Sequence, residues 1–301
     1  MSAPSTVQAQ TYLTFPSSQA ALINPYLPPL DRDNDEQQRA AVTSRERRER
    51  GKNEREGEEE KKETRSHHNP AGKKVHLTLT YAHSLDAAIS RAPGVRTALS
   101  GPESKAMTHY LRTRHDAILV GVGTAVADDP GLNSLVSQPR PVVLDPRGRW
   151  LVGAESKVVR LAAEGKGLGP WVFVGEGVVV DEERRQLLER AGGGYVAVPL
   201  GRKGRFEWED VLGALERKGI RSVMVEGGGE VINSLLADDN KAFVDSVIVT
   251  IAPTWLGKDG VVVSPSRTEG LGGEPPEQLR LTDVIWCPMG EDVVLCGRIA
   301  R

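Results

Sequence analysis

From Val75 onward the apolar positions fall into short, regular segments. Val75, Leu77, Leu79 and Tyr81 alternate with polar residues, the period of a strand buried on one face. Ala117–Val122 (AILVGV) is a continuous apolar run and reads as a buried strand. Pro141–Leu144, Trp171–Val174, Tyr195–Val198 and Ser222–Val225 read as shorter strands, and Val244–Ile251 as a long one. Helical segments lie between them. One opens at Ser100-Gly-Pro-Glu103, a capping-box pattern with Pro102 near the start, and runs to about His115 with Met107, Tyr110 and Leu111 on one face. A second spans Asp181–Ala191 and stops at the Gly192–Gly194 run; a third spans Phe206–Lys218 and stops at Gly219. A short fourth follows three glycines and ends at Leu236. Strands alternating with helices predict an α/β fold with a mainly parallel central sheet and flanking helices. The tail adds two strands, near Leu279–Ile285 and Val293–Ile299, with no helix between them, which predicts an antiparallel C-terminal edge.

The pattern before residue 71 is different. Residues 1–21 are rich in Ser, Ala, Gln and Pro, and Asp31–Arg65 is dominated by interleaved charge (RERRERGKNEREGEEEKKETR from Arg45). Such a stretch buries too little apolar surface to offset chain entropy. The expected division is a charged, mostly disordered extension over residues 1–70 and a folded domain over 71–301. The apolar, Pro-rich Asn24–Leu30 (NPYLPPL) is expected to dock on that domain as an arm.

Composition narrows the function. Of 301 residues, 39 are Lys or Arg and 41 Asp or Glu, a formal charge of −2. That balance argues against a general nucleic-acid binder but leaves room for a small anionic ligand. No apolar run approaches the roughly 20 residues of a membrane span. Two cysteines, Cys287 and Cys296, make neither a disulfide framework nor a Cys-rich zinc site, so no metal and a reducing, cytoplasmic setting are expected.

Candidate chemistry concentrates after strands. In VMVEGGGEVINSLL (Val223–Leu236) a strand runs through Glu226 into Gly227, Gly228 and Gly229 and then a helix. Glycines let backbone approach a ligand, and a helix start offers free N–H groups, which suits a phosphate or pyrophosphate; the alternative is a ligand-free tight turn, for which three consecutive glycines are more than is needed. GVGTAVADDPGLN (Gly121–Asn133) places Thr124 and the carboxylates Asp128 and Asp129 after another strand, as hydrogen-bonding groups or as helix or turn caps. TYAHSLDAAIS (Thr80–Ser90) offers His83 and Asp86, each a polar site group or a surface and turn residue. Thr108, Arg112 and His115 make one helical stripe, in which Arg112 is either a phosphate clamp or a solvated cation. Asp145-Pro-Arg147-Gly-Arg149 is a turn with two more cations.

Taken in order, LTLTYAHSLDAAIS, RTALSGPESKAMTHYLRTRHDAILVGVGTAVADDPGLNS, RPVVLDPRGRW, RSVMVEGGGEVINSLL, VTIAPTWLG and DVVLCGRIA resemble the fungal 2,5-diamino-6-(ribosylamino)-4(3H)-pyrimidinone 5′-phosphate reductases of riboflavin biosynthesis, over about three quarters of the chain. That family has a dihydrofolate-reductase-like fold, shared with the reductase half of bacterial deaminase-reductases. The zinc-deaminase signature of the latter has no counterpart here. The resemblance implies an NADPH-dependent, homodimeric enzyme. It implies cofactor contacts at Ala82, Thr124, Asp128, Gly228, Gly229, Glu230 and Val231, and substrate contacts at Ser104, Arg112, Leu132 and Glu226. Arg147 is a candidate for the extra phosphate of NADPH. The sequence departs from the family at His83 (commonly Gln) and Ala88 (commonly Arg or Lys), and Leu135 stands where bacterial relatives carry Arg. No catalytic proton donor is singled out; Asp86, Glu226 and water stay open. The rival readings are a pterin or folate reductase of the same fold and a non-catalytic nucleotide-binding module.

Overall fold

The computed structural model describes residues 14–29, 75–266 and 278–300. The unit described here takes in residues up to Leu27 and from Lys74 on; Pro28–Lys73 form a separate unit, of which only Pro28 and Pro29 are described. The charged stretch from Asp31 to Arg65 therefore lies outside the described residues.

The strands are β1 (His76–His83), β2 (Ala88–Ser90), β3 (Ala117–Gly121), β4 (Arg140–Leu144), β5 (Trp171–Gly175), β6 (Gly194–Val198), β7 (Ser222–Gly227), β8 (Ser246–Ile251), β9 (Val261–Val262), β10 (Leu281–Met289) and β11 (Asp292–Ile299). The helices are α1 (Ser17–Ile23), α2 (Pro102–Thr113), α3 (Val122–Asp128), α4 (Lys157–Ala163), α5 (Glu182–Arg190), α6 (Trp208–Arg217) and α7 (Gly229–Leu236). A nine-stranded sheet has the order β10-β11-β8-β1-β7-β3-β4-β5-β6. Every neighbouring pair from β8 to β6 is parallel, while β11 pairs antiparallel with both β8 and β10. The mainly parallel sheet with an antiparallel C-terminal edge is therefore present. A separate two-stranded ribbon joins β2 to β9.

Alternation along the strands fills both faces. Leu77, Leu79, Leu119 and Val225 point to one side, where Val211, Leu212 and Leu215 of α6 and Ile232 and Leu235 of α7 close over them. On the other side Ile118, Val120, Val143 and Val172 meet Val158 and Val159 of α4 and Leu188 of α5. Further along that side, Met224 and Ile248 meet Met107 and Leu111 of α2 together with Ile23, Tyr26 and Leu27. Ser17–Leu27 is thus a structural part of the sheet's covering layer, and more of the chain takes part than the NPYLPPL segment alone.

The start of α2 is held differently from the expected capping box. Gly101 is its N-cap and offers no side chain, while Asp292 of β11 accepts from Gly101 N at 2.8 Å and from Ser104 Oγ at 2.6 Å. A carboxylate from the far end of the sequence takes the capping role, satisfying a free N–H at the positive end of the helix dipole. His115, just past the end of α2, is not part of a solvated stripe. It is buried, with Nδ1 2.8 Å from Leu111 O and Nε2 2.8 Å from Thr78 Oγ1. Burial drives its imidazole down to about 3, so it folds neutral. The unfolded imidazole takes a proton first, so stability should be intact above about pH 6.5 and fall as pH drops toward 3, by up to about 1.4 kcal/mol per pH unit. Denaturant midpoints at pH 7 and pH 5 measure this. An equal drop in His115→Gln would assign the loss to other groups.

Candidate active site

The carboxyl ends of β1, β3 and β7 lie side by side at the centre of the sheet. The chain moves outward after β3 to build β4, β5 and β6, then returns to insert β7 between β1 and β3. Open parallel sheets hold ligands at such a reversal of strand order, beyond the carboxyl ends. The sequence motifs after β1, β3 and β7 all end there. A cavity of about 390 Å³ lined by Tyr26, His76, Asp245 and Arg298 lies at the opposite end, at the start of β1 and β8, and contains none of these motif residues.

The glycine bend closes against the segment after β3. Gly228 is the N-cap of α7 with φ +90°, a conformation costly for any L side chain, and a Cβ on it would stand 3.0 Å from Thr124 Oγ1. Gly121, ending β3, leaves 3.0 Å between its would-be Cβ and Val231 Cγ2. Thr124, Gly228 and Val231 are therefore brought together, although two of them are separated by about a hundred residues. Gly229 meets the ribbon instead: a Cβ there would stand 2.7 Å from Val261 Cγ1. Glu230 is 80% exposed and pairs with Arg205 at 3.3 Å. Ala82 sits near the end of β1, in register with Thr250. Asp128 closes α3 half-buried, and burial raises its carboxyl pKa against the opposing pull of Arg96.

The second half of the site is an ion pair. Arg112 of α2 donates Nε to Glu226 Oε1 and Nη2 to Oε2, each at 2.6 Å, and Nη1 to Asn133 O at 2.9 Å. Both side chains are only 15% exposed. The burial that would lower the Arg112 pKa is outweighed by the Glu226 carboxylate, so the guanidinium stays charged. Glu226 owes its position to a bulge. Leu119 pairs with Val225 but Val120 pairs with Gly227, which leaves Glu226 as an extra residue in β7. Leu132 is 2% exposed and packed in the core, and it is the following residue, after the turn made by its φ of +47°, whose carbonyl, Asn133 O, meets Arg112.

Other expected residues lie elsewhere or are already committed. The Ser104 hydroxyl is fully buried on Asp292 and ties α2 to β11. Asp86 accepts from the Ser84 hydroxyl and from Leu256 N and Gly257 N, and these bonds, Ser84 first, hold its carboxyl down at about 2. Both of its oxygens are thus engaged in tying the turn after β1 to the Leu256–Gly257 segment. Ala88 is fully buried, and its Cβ leaves no room for one on Gly260. Arg147 and Leu135 are exposed. Among the described residues no cluster of three or more His, Cys, Asp or Glu is placed to hold a metal, and no helix is long and apolar enough to cross a membrane. Sequence reasoning missed Asn133 and Asp292, whose roles depend on contacts across the fold and leave no local signal.

Comparison with known proteins covers the same region. The sequence model of the family described as "RibD C-terminal domain" matches residues 75–295. A protein of Debaryomyces hansenii named 2,5-diamino-6-ribosylamino-4(3H)-pyrimidinone 5′-phosphate reductase is 41% identical over 239 residues, covering 76% of this chain and 92% of that one. Its namesake in Saccharomyces cerevisiae is 40% identical over 232 residues, covering 74% and 86%. The solved structure of the S. cerevisiae riboflavin biosynthesis reductase Rib7 superposes with a TM-score of 0.62 at 38% identity, covering 77% of this chain and 93% of that one. Acinetobacter baumannii RibD, 21% identical, shares the fold with a TM-score of 0.58.

Proposed function

Because this chain belongs to the RibD C-terminal domain family, we propose that it reduces 2,5-diamino-6-ribosylamino-4(3H)-pyrimidinone 5′-phosphate to the ribitylamino form, in riboflavin biosynthesis, with a nicotinamide dinucleotide as hydride donor. The observation that carries this reading is that Gly228 closes on Thr124 and Glu226 pairs with Arg112 where β3 and β7 end side by side. The space a Cβ would fill at Gly228 is the cradle expected for a dinucleotide diphosphate, beside the free N–H groups that open α7. Thr124, Asp128, Gly228 and Val231 would hold the cofactor, with Ala82 and Gly229 lining its approach and the exposed Glu230 at its rim. When bound, the reduced nicotinamide supplies hydride to the former anomeric carbon of the opened ribosyl chain.

The protein's own part is positioning. Glu226 and Arg112 fix the substrate's polar groups beside the cofactor, with the buried Leu132 turning the chain behind them. Asp86, ionised and clamped, and Glu226, paired through both oxygens with Arg112, leave the proton for the new amine to water. NADPH over NADH follows from the family resemblance, and Arg147, on the turn leaving the carboxyl end of β4, is the cation we assign to the extra phosphate. A homodimer accords with the edge strand β10, which exposes Val284 and Trp286. The free, buried thiols of Cys287 and Cys296 accord with a reducing cytoplasm.

The test is a turnover assay with purified protein. Absorbance of NADPH should decay when the ribosylamino-pyrimidine phosphate is added and stay constant with dihydrofolate. Decay with dihydrofolate instead would assign the chain to the pterin reductases. Tight NADPH binding without any substrate-dependent decay would leave a binding module.

A further inference from the structure

We propose that Asp86 is a positioning residue for the dinucleotide: it braces both strands of the β2–β9 ribbon, and the ribbon holds the wall that faces the first residue of α7. This rests on the reductase reading above and deepens it on the cofactor side of the site.

The ribbon has two roots, and one carboxylate holds both. On the β2 side, Asp86 accepts from the Ser84 hydroxyl, and the oxygen of that hydroxyl accepts from Ala88 N at 3.1 Å. Ser84 is wholly buried, so this relay runs through the interior. On the β9 side, Asp86 Oδ1 accepts from Leu256 N at 3.1 Å and Oδ2 from Gly257 N at 2.7 Å. Gly257 O then accepts from Gly260 N at 3.2 Å, immediately before β9. Between the two roots, Ala87 is held at φ +58°, a conformation that a residue with a side chain keeps only where its surroundings impose it, and its carbonyl accepts from Val263 N at 3.0 Å.

The body of the ribbon meets the glycine bend. One side chain from each strand approaches Gly229: a Cβ there would stand 3.6 Å from Ile89 Cδ1 and 2.7 Å from Val261 Cγ1. Asn233 of α7 donates Nδ2 to Val262 O at 3.3 Å. Gly229 follows directly on Gly228, which closes on Thr124, so a displaced ribbon disturbs the space assigned to the diphosphate. The junction at the roots demands an acceptor at every contact. Three donors converge on Asp86, and an ionised carboxylate offers acceptors only. The same bonds, Ser84 first, keep its carboxyl well below the usual range, so the brace is intact at neutral pH.

The experiment titrates NADPH by fluorescence into wild type, Asp86→Ala, Asp86→Asn, Ser84→Ala and Asp116→Ala, and follows turnover of the ribosylamino-pyrimidine phosphate at saturating NADPH. Asp116 is the matched control: its Oδ2 accepts from Arg221 N at 2.9 Å and Ser222 N at 3.0 Å, at the opposite end of the sheet. Asp86→Ala should weaken NADPH binding about 10-fold while kcat falls by less than about threefold, the split that lost cofactor binding produces. Asp86→Asn turns an N–H toward the Gly257 N–H, and Ser84→Ala removes the relay to Ala88; each should cost about three- to fivefold in affinity. Asp116→Ala should lower the denaturation midpoint yet keep NADPH affinity within about twofold of wild type, because it lies far from the ribbon. The inference is overturned if Asp86→Ala binds NADPH like wild type, or if kcat falls while affinity holds. Should Asp86→Ala fail to fold, wild-type affinity in both Asp86→Asn and Ser84→Ala overturns it equally. Wild-type protein that does not bind NADPH would defeat the reductase reading and the inference with it, whereas unaltered binding in the variants defeats the inference alone.

Discussion

Gly228→Val is expected to reduce dinucleotide affinity by at least about 100-fold, equivalent to roughly 2.7 kcal/mol. Two penalties combine at this position. The φ of +90° is strained for any side chain and worst for a β-branched one, and the added carbon would stand at 3.0 Å from Thr124 Oγ1, inside the space assigned to the diphosphate. Fluorescence titration with NADPH measures the loss. Gly219 supplies the matching control: its φ is +80°, yet a Cβ there meets nothing within 4 Å, and it lies in the turn before β7 at the other end of the sheet. Gly219→Val should cost stability through the same backbone strain while leaving NADPH affinity at wild type. Equal affinities in the two variants would show that the bend serves only the fold.

The second large effect concerns the arm. Ile23→Ala should destabilise the protein by about 2–5 kcal/mol, because Ile23 is wholly buried among Met107, Leu111, Met224 and Ile248, and its removal leaves a cavity between a helix and the sheet. At this size each kcal/mol lowers Tm by about 2–4 °C, so a shift of roughly 4–20 °C is expected. Leu22, its neighbour on the same short helix, is 53% exposed. Leu22→Ala should stay within about 0.5 kcal/mol. Chemical denaturation of both variants decides the matter, and similar midpoints would mean that α1 is not docked in solution. The arm also reaches the helix that carries Arg112: Asn24 Oδ1 accepts from the Tyr110 hydroxyl at 2.5 Å and from Arg114 Nη1 at 2.7 Å. Weakening it should therefore loosen α2 as well as the sheet.

Much of this architecture was legible because its signals are local. Alternation at Leu77 and Leu79 and the apolar run of Ile118–Val120 needed no knowledge of their neighbours to read as strands. The glycine triplet announced a special backbone, and Gly228 has one. Signals failed where local sequence is ambiguous. Val122–Asp128 carries a glycine and β-branched residues, all weak helix formers, so α3 was hidden in what read as a strand and a loop. The seven residues of α1 have neither a capping side chain nor enough length to show a period, and only their packing on the sheet makes them a helix. Within the site, both members of the ion pair were picked out, but their partnership was not. Arg112 and Glu226 are 114 positions apart, and a bulge that no periodicity reveals decides where Glu226 lies. Ser104 and Asp292, 188 positions apart, were hidden for the same reason.

The place of β7 in the sheet has a consequence for biosynthesis. It fills the gap between two strands that leave the ribosome long before it, and it carries Glu226 and the first glycine of the bend. A nascent chain that has emerged only as far as α6 can pair β3 with β4, β5 and β6, but β1 still lacks the neighbour that joins it to them. Closure must await the last third of translation, and until then the apolar margins of β1 and β3 stand open to chaperones or to one another's copies.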